Sequence, residues 1–301
     1  YAKNKSSMSP EDIVFHITKQ IVGYDINPIT VITAKTNYIL ALGDITTISQ
    51  PIDIPIYMCD SVLVPTVHAK QNKKSRAIQI NTIAGTFEVP VFESRIASDT
   101  FMREVSSHVE NYTFDEFVDY LTRNSILSFS NVNMDVARAF YEKVCELHLT
   151  SRDGFWGIIL KNSFAPLFAH GGFDIVVGNP PWIAWKAMSD TYRTQTLDIW
   201  LSYGIFEKSA YDKITTHDDF AMAVTYVALD HYCKESGELV FVLPQTFLKA
   251  AKGGEGFRKF CITRDGLEIP FAVTEVYDML KISPFRGVAS NRASVVRFEK
   301  N

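Results

Sequence analysis

The run Phe173-Asp174-Ile175-Val176-Val177-Gly178 and the tetrapeptide that follows it, Asn179-Pro180-Pro181-Trp182, constrain this chain more than any other stretch. A near-continuous apolar run of this length is the pattern of a strand buried on both faces of a parallel sheet. Beyond its carboxyl end the strand delivers a side-chain amide, two rigid prolines and a large aromatic ring. That set can grip a flat, amino-bearing group, and the amino group of adenine is the obvious candidate.

In open α/β sheets, ligands bind beyond the carboxyl ends of the strands, near the point where strand order reverses. Asp25, Asp60 and Asn179 all fall at such ends. Gln20 to Asp25 reads as a short buried strand, followed by Asn27 as a helix N-cap and Pro28 at the first helical position. The helix then runs to about Leu42, and a second apolar strand, Ile54 to Cys59, ends at Asp60. Two strand-then-acid units joined by a helix are the rhythm of a doubly wound parallel sheet. At the end of its strand, the Asp25 carboxylate can accept two hydrogen bonds from a ribose diol, or it can serve the turn Asp25-Ile26-Asn27-Pro28. Asp60 can accept from the exocyclic amine of an adenine, or it is an ordinary strand-end turn residue.

From about Pro65 to Gly154 the rhythm breaks. Ala77 to Ile80 and Thr86 to Val89 flank Ala84-Gly85 like a hairpin, and helical stretches follow around Phe114 to Leu121 and Val136 to Leu147. This predicts an inserted subdomain that caps one edge of the sheet or contacts a partner macromolecule. After the tetrapeptide, Phe220 to Cys233 has helical periodicity and stops near Gly237, and Glu238 to Leu243 is a buried strand ending at Pro244. Phe271 to Val276 and Ala293 to Phe298 read as two paired strands around the loop Ser283-Pro284-Phe285-Arg286-Gly287.

The formal net charge of -4 offers nucleic acid no global attraction. Charge can still be local: Lys70, Lys73, Lys74 and Arg76 form a basic cluster that suits either a phosphate backbone or a solvated loop. Cys59, Cys145, Cys233 and Cys261 are scattered, which argues against a zinc site or a disulfide framework and for a reducing cytoplasm. No apolar run reaches the ~18 to 20 residues needed to span a bilayer.

Together these residues resemble adenine-N6 DNA methyltransferases of restriction-modification systems, enzymes that use S-adenosylmethionine. Gly23-Tyr24-Asp25-Ile26-Asn27-Pro28 is similar to the family's second cofactor motif, Cys59-Asp60-Ser61 to its third, and Gly178-Asn179-Pro180-Pro181-Trp182 to its fourth. Asp219 and Phe220 match the start of a fifth motif, although Asp218 or Asp219 can simply cap a helix. The resemblance implies that Asp25, Ile26, Asp60, Ser61 and Asn179 face the cofactor. It also implies that Asn179 and the Pro180 carbonyl grip the target amine, with Pro181 shaping the loop. Trp182 would stack on a base flipped out of the duplex, with Phe285 on its opposite face. The family more often has Tyr at the position of Trp182, and Trp182 could also be a core tryptophan beside Trp185. The second glycine cluster, Gly253-Gly254-Glu255-Gly256, could be mistaken for a cofactor loop, but Asp25 and Asp60 already precede the tetrapeptide in the expected order.

One element of the family pattern is missing. A glycine-rich loop should precede Gly23, yet residues 1–19 contain no glycine and the chain opens on Tyr1. The expectation is therefore a fragment: an α/β, Rossmann-like methyltransferase sheet, mostly parallel with a C-terminal antiparallel hairpin, its central first strand absent or supplied by a companion segment. The cofactor side is expected in residues 1–64, the inserted hairpin and helical subdomain in 65–154, and the catalytic motif in 155–301. Such a piece should bind S-adenosylmethionine poorly and methylate nothing alone, while the complete protein acts on DNA in restriction-modification or similar phage defence. Protein-glutamine and RNA methyltransferases share the Asn-Pro-Pro-aromatic motif and stay open as alternatives, as does a non-catalytic DNA-binding or assembly module.

Overall fold

The computed structural model describes residues 9–43, 52–63, 77–82, 85–92, 95–109, 111–149, 165, 172–206, 218–249, 254–264, 267–282 and 292–301. They fall into two compact units, Tyr1–His170 and Gly171–Asn301.

The first unit opens with α1 (Pro10–Gln20), which Ser9 caps by accepting the Asp12 N–H at 3.2 Å. Strand β1 (Gly23–Asp25) pairs in parallel with β2 (Ile56–Met58), Gly23 opposite Ile56 and Asp25 opposite Met58. Between them runs α2 (Pro28–Leu42), whose start follows the expected chemistry: the Asn27 side-chain oxygen accepts from the N–H groups of Ile29 and Thr30 at 2.9 and 3.4 Å, and Pro28 occupies the first turn, where no N–H is needed. Beneath the parallel pair, Tyr57, Cys59 and Ala165 form a small core against Val22 and Tyr24.

The other described elements of this unit are a hairpin and three helices. Strands β3 (Ala77–Thr82) and β4 (Gly85–Pro90) pair antiparallel as expected, with Ile80 opposite Phe87; Gly85, expected in the turn, is instead the first residue of β4, opposite Thr82. Helices α3 (Arg95–His108), α4 (Phe114–Arg123) and α5 (Met134–Leu149) follow. The strongest amphipathic stripe is that of α4, where Phe114, Phe117 and Leu121 are buried at i, i+3 and i+7. They join Phe87, Phe101, Phe140 and Tyr141 in one aromatic core, each such ring contributing about 1.5–3 kcal/mol by burial. A capping box at Thr113 and Glu116 fixes where α4 begins.

In the second unit β5 (Phe173–Gly178) leads to α6 (Asp190–Ser202), α7 (Phe220–Val227) and a π-turn (Ala228–Tyr232) that runs straight into β6 (Cys233–Pro244). Strands β7 (Cys261–Arg264), β8 (Leu267–Asp278) and β9 (Ala293–Lys300) complete a five-stranded sheet in the order β5-β6-β9-β8-β7. Only β5 and β6 are parallel; the other three neighbouring pairs are antiparallel. The expectation of a mostly parallel sheet is thus corrected to a mixed one. The expected C-terminal antiparallel pair is present, β8 against β9 with Val276 opposite Val296, and the sheet is mixed because β9 lies between β6 and β8 and is antiparallel to both. Alternating burial along β9, with Val296 and Phe298 fully enclosed, packs Phe257, Phe271 and Tyr226 on one face. The buried Lys300 ammonium donates to the carbonyls of Asp230 and Cys233, holding the π-turn to the end of β9.

Strand β5 also departs from expectation. Its apolar run predicts burial on both faces, yet Ile175 and Val177 are 62% and 73% exposed. It stands at the end of the described sheet, with β6 on one side.

Candidate active site

At the carboxyl end of the β1–β2 pair the two acids come together. The Asp25 carbonyl accepts from the Cys59 N–H at 3.0 Å, so Asp60 sits one residue beyond the point where the strands last touch. One oxygen of Asp25 accepts from the Asn27 N–H at 2.7 Å, and one oxygen of Asp60 accepts from Val62 and Leu63 at 2.9 and 2.8 Å. These backbone donors orient both carboxylates. Their proximity has an electrostatic consequence at the thiol between them: burial raises the Cys59 pKa, and the charges of Asp60 and Asp25 raise it further. Ser61 is half-buried in the turn after Asp60, and Ile26 keeps its side chain 64% exposed beside Asp25. The turn functions foreseen for the two acids are therefore real, and they leave a pair of oriented carboxylates at one strand end. Such acceptors suit the diol and amine donors of an adenosine group.

The tetrapeptide forms the end of β5 in the second unit. The ladder with β6 closes at Gly178 opposite Phe241. A Cβ on Gly178 would stand 2.9 Å from the Phe241 ring, so glycine is what lets the strand come this close before it turns out. Neither Pro180 nor Pro181 has an N–H to continue the ladder. Asn179 is exposed, and among the described residues its amide makes no hydrogen bond; Pro180 is buried and Pro181 exposed. Trp182 is half-buried, and its indole N–H donates to the carbonyl of Val242 at 3.1 Å, one residue past the last rung of the ladder. Trp185, by contrast, is a core residue packed edge-on to Trp200 and Phe206 at 5.1 Å.

The chain leaving Trp182 is stitched to the start of α7. Phe220 donates to the Ile183 carbonyl at 2.8 Å and Trp185 to the Asp218 carbonyl at 2.9 Å, an antiparallel bridge of Ala184 with Asp219. Asp219 is the N-cap of α7, accepting from the Ala221 N–H at 2.9 Å. Burial pushes its pKa up, and the Ala221 hydrogen bond pulls against that rise. Asp219, Met222, Thr225, Leu243 and Pro244 line a shallow depression. Asp218 is buried and accepts from the Gly254 N–H at 2.5 Å. Gly256 packs so tightly on the backbone of Gly204 and Ile205 that a Cβ there would meet the Ile205 carbonyl at 2.2 Å. The glycine cluster thus has a packing role.

Sequence reasoning missed α6, whose Ser189 N-cap followed by Asp190 was a usable signal, and it missed the Val242 carbonyl, which carries none. Phe285, Asn291, Gly253 and the basic cluster of Lys70, Lys73, Lys74 and Arg76 lie outside the described residues. Among the described residues no helix is long and apolar enough to cross a membrane.

Residues 19–269 match the family model described as Eco57I restriction-modification methylase. Two Haemophilus influenzae proteins, the Type II methyltransferases M.HincII and M.HindII, are each 29% identical over 112 residues, which is 36% of this chain and 20% and 19% of theirs. The match thus spans about a fifth of the length of these relatives. With the family model covering most of the chain, from before β1 to within β8, the chain belongs to the Eco57I restriction-modification methylase family.

Proposed function

We propose that this chain carries the amine-gripping part of a DNA methyltransferase that transfers a methyl group from S-adenosylmethionine to the N6 amine of an adenine flipped out of the duplex. The observation that carries the reading is the exposed, unengaged amide of Asn179 at the point where β5 leaves the sheet. Its side-chain oxygen accepts one N–H of the target amine and the Pro180 carbonyl accepts the other. With both protons held, the nitrogen lone pair is drawn out of conjugation with the ring and directed along a line of attack. The cofactor supplies an electrophilic methyl on sulfur. Methyl transfer forms the N–C bond as the C–S bond breaks, and the proton lost from nitrogen passes to solvent.

Trp182 offers its π-face to the flipped base, a contact worth roughly 1–3 kcal/mol, and Phe285 is proposed for the opposite face. Asp25 and Ile26 are assigned to the ribose side of the cofactor, and Asp60 and Ser61 to its adenine. The absence of glycine from residues 1–19 supports weak cofactor binding and little turnover by residues 1–301 alone. DNA as the substrate, and a companion segment that completes the cofactor pocket, belong to the same proposal.

The test is Asn179→Ala in the complete protein, with methylated nucleosides identified by mass spectrometry after incubation with DNA. Loss of N6-methyladenine by about 10²–10³-fold is expected, the scale for removing one group that stabilises developing charge. Native-level methylation by the variant, or label appearing in RNA or a glutamine peptide and not in DNA, would refute the assignment.

A further inference from the structure

The end of the sheet from which Asn179 emerges also carries two cations. Strands β5 and β6 are parallel and β9 is antiparallel to β6 and β8, so the last residues of β5, β6 and β8 and the first of β9 share this end. Arg292 immediately precedes β9, and Lys281 lies in the turn that follows β8. Both side chains are exposed, and among the described residues neither makes a hydrogen bond or an ion pair. Other cations of this unit are engaged: Lys234 pairs with Asp174 at 2.9 Å, Arg297 with Glu238 and Glu275, and Lys300 with two carbonyls.

One side chain fixes where the two cations stand. Gln245, the residue after β6, donates through its backbone N–H to the Arg292 carbonyl at 2.9 Å and through Nε2 to Asp278 Oδ1 at 2.6 Å. The same Asp278 oxygen accepts the Leu280 N–H at 2.8 Å. Met279 donates to the Ala293 carbonyl at 3.2 Å and Ile282 to the Met279 carbonyl at 3.1 Å, which closes the turn around Lys281.

We infer that Arg292 and Lys281 contact the backbone phosphates of the DNA strand whose base Asn179 grips. This deepens the function proposed above and rests on it. Strand β9 lies two places from β5 in the sheet, which at about 4.8 Å per strand is about 10 Å across. Gly178 faces Phe241 and Phe241 faces Val296, so Arg292, four residues before Val296, stands about 10 Å farther out than Asn179 along the strands. A guanidinium to the side of the amide and beyond it suits the sugar-phosphate of a gripped nucleotide and not its base. A chain of net charge -4 has no general attraction for DNA, so its phosphate contacts have to be local. Such contacts fix where the strand lies without reading its sequence.

Each phosphate contact releases condensed counterions, so removing one lowers the slope of log affinity against log salt by about 1. Anisotropy titrations of a fluorescein-labelled DNA duplex with the complete protein, across a series of KCl concentrations, measure that slope. Arg292→Ala and Lys281→Ala are each expected to reduce it by about 1 and to weaken binding by about 10-fold. Arg292→Lys, which keeps the charge, should keep the native slope. Lys234→Ala, at the opposite end of β6, should leave it unchanged. Both targeted side chains are exposed, so these variants should melt with the native protein. A native slope in either Arg292→Ala or Lys281→Ala overturns the inference, as does an equal loss of slope in Lys234→Ala, or a loss seen with an RNA duplex and not with DNA. Asn179→Ala in the same titration keeps the failures apart, because it should lose methylation and hold the native slope. If that variant still methylates, the amine-gripping reading itself has failed; if it is dead while Arg292→Ala or Lys281→Ala keeps the native slope, only the phosphate contact has.

Discussion

The indole N–H of Trp182 lies 3.1 Å from the carbonyl oxygen of Val242, and this bond takes up the β6 carbonyl that follows the last rung of the β5 ladder. A phenol or phenyl ring at position 182 has no donor at that place. Tryptophan here is therefore more than an alternative stacking surface.

Trp182→Phe should keep a ring for stacking and leave the Val242 carbonyl without its donor. An unsatisfied carbonyl at a part-buried site costs about 1–3 kcal/mol, of which the sheet end can recover some by admitting water. The expected outcome is a fall in kcat of about 10-fold, that being ~1.4 kcal/mol, with a smaller change in DNA affinity. Steady-state methylation kinetics check it; a variant with native kcat would show that the bond is incidental.

Gly256→Ala is predicted to be among the most damaging small substitutions in the second unit. The added methyl would sit 2.2 and 2.3 Å from the carbonyl oxygens of Ile205 and Gly204, both backbone atoms that cannot swing aside. Overpacking of this kind typically costs about 1–3 kcal/mol. Chemical denaturation should show a lower midpoint, and an unaltered midpoint would mean the segment around Ile205 yields easily.

Glu116 gives a pH-dependent prediction. Hydrogen bonds from the Thr113 backbone N–H and then from its hydroxyl hold the carboxyl below its ordinary 4.5. A carboxylate whose pKa is lower folded than unfolded stabilises the fold fully above the unfolded value, and that contribution is lost as pH falls through the folded value. Melting curves of native protein and Glu116→Ala should therefore differ most above about pH 4.5 and converge as the pH drops below it. A gap independent of pH would contradict the capping-box account.

Calorimetric titration of residues 1–301 with S-adenosylmethionine should give no low-micromolar binding, because the oriented carboxylates of Asp25 and Asp60 are present without any glycine-rich turn among residues 1–19. Tight binding would show that the two acids and their neighbours suffice.

Local signals account for what could be read in advance. Asn27 before Pro28 declared the start of α2, and alternating patterns on either side of a glycine marked the β3–β4 hairpin, because caps and alternation are encoded within a few residues. The tetrapeptide was legible for the same reason. What could not be read depends on partners distant in sequence. Nothing in Ala293 to Lys300 says that it will slide between β6 and β8, since an alternating strand fits either an outer or an inner antiparallel place. The carbonyl of Val242 has no side-chain signature at all, and Asp219 reads as a cap without betraying that it also faces Ala184 across an antiparallel bridge. The apolar run of β5 misled on burial, because hydrophobicity reports what a strand can bury and not what lies against it.

That same strand sets how the polypeptide behaves as a material. Among the described residues β5 has a strand on one side alone, and a row of backbone donors and acceptors flanked by exposed isoleucine and valine is a template on which another copy can dock strand to strand. Asp174 and its Lys234 partner are the charges that interrupt the row. Sedimentation of residues 1–301 should accordingly depend on concentration, and a lysine in place of Val177 should keep the preparation monodisperse.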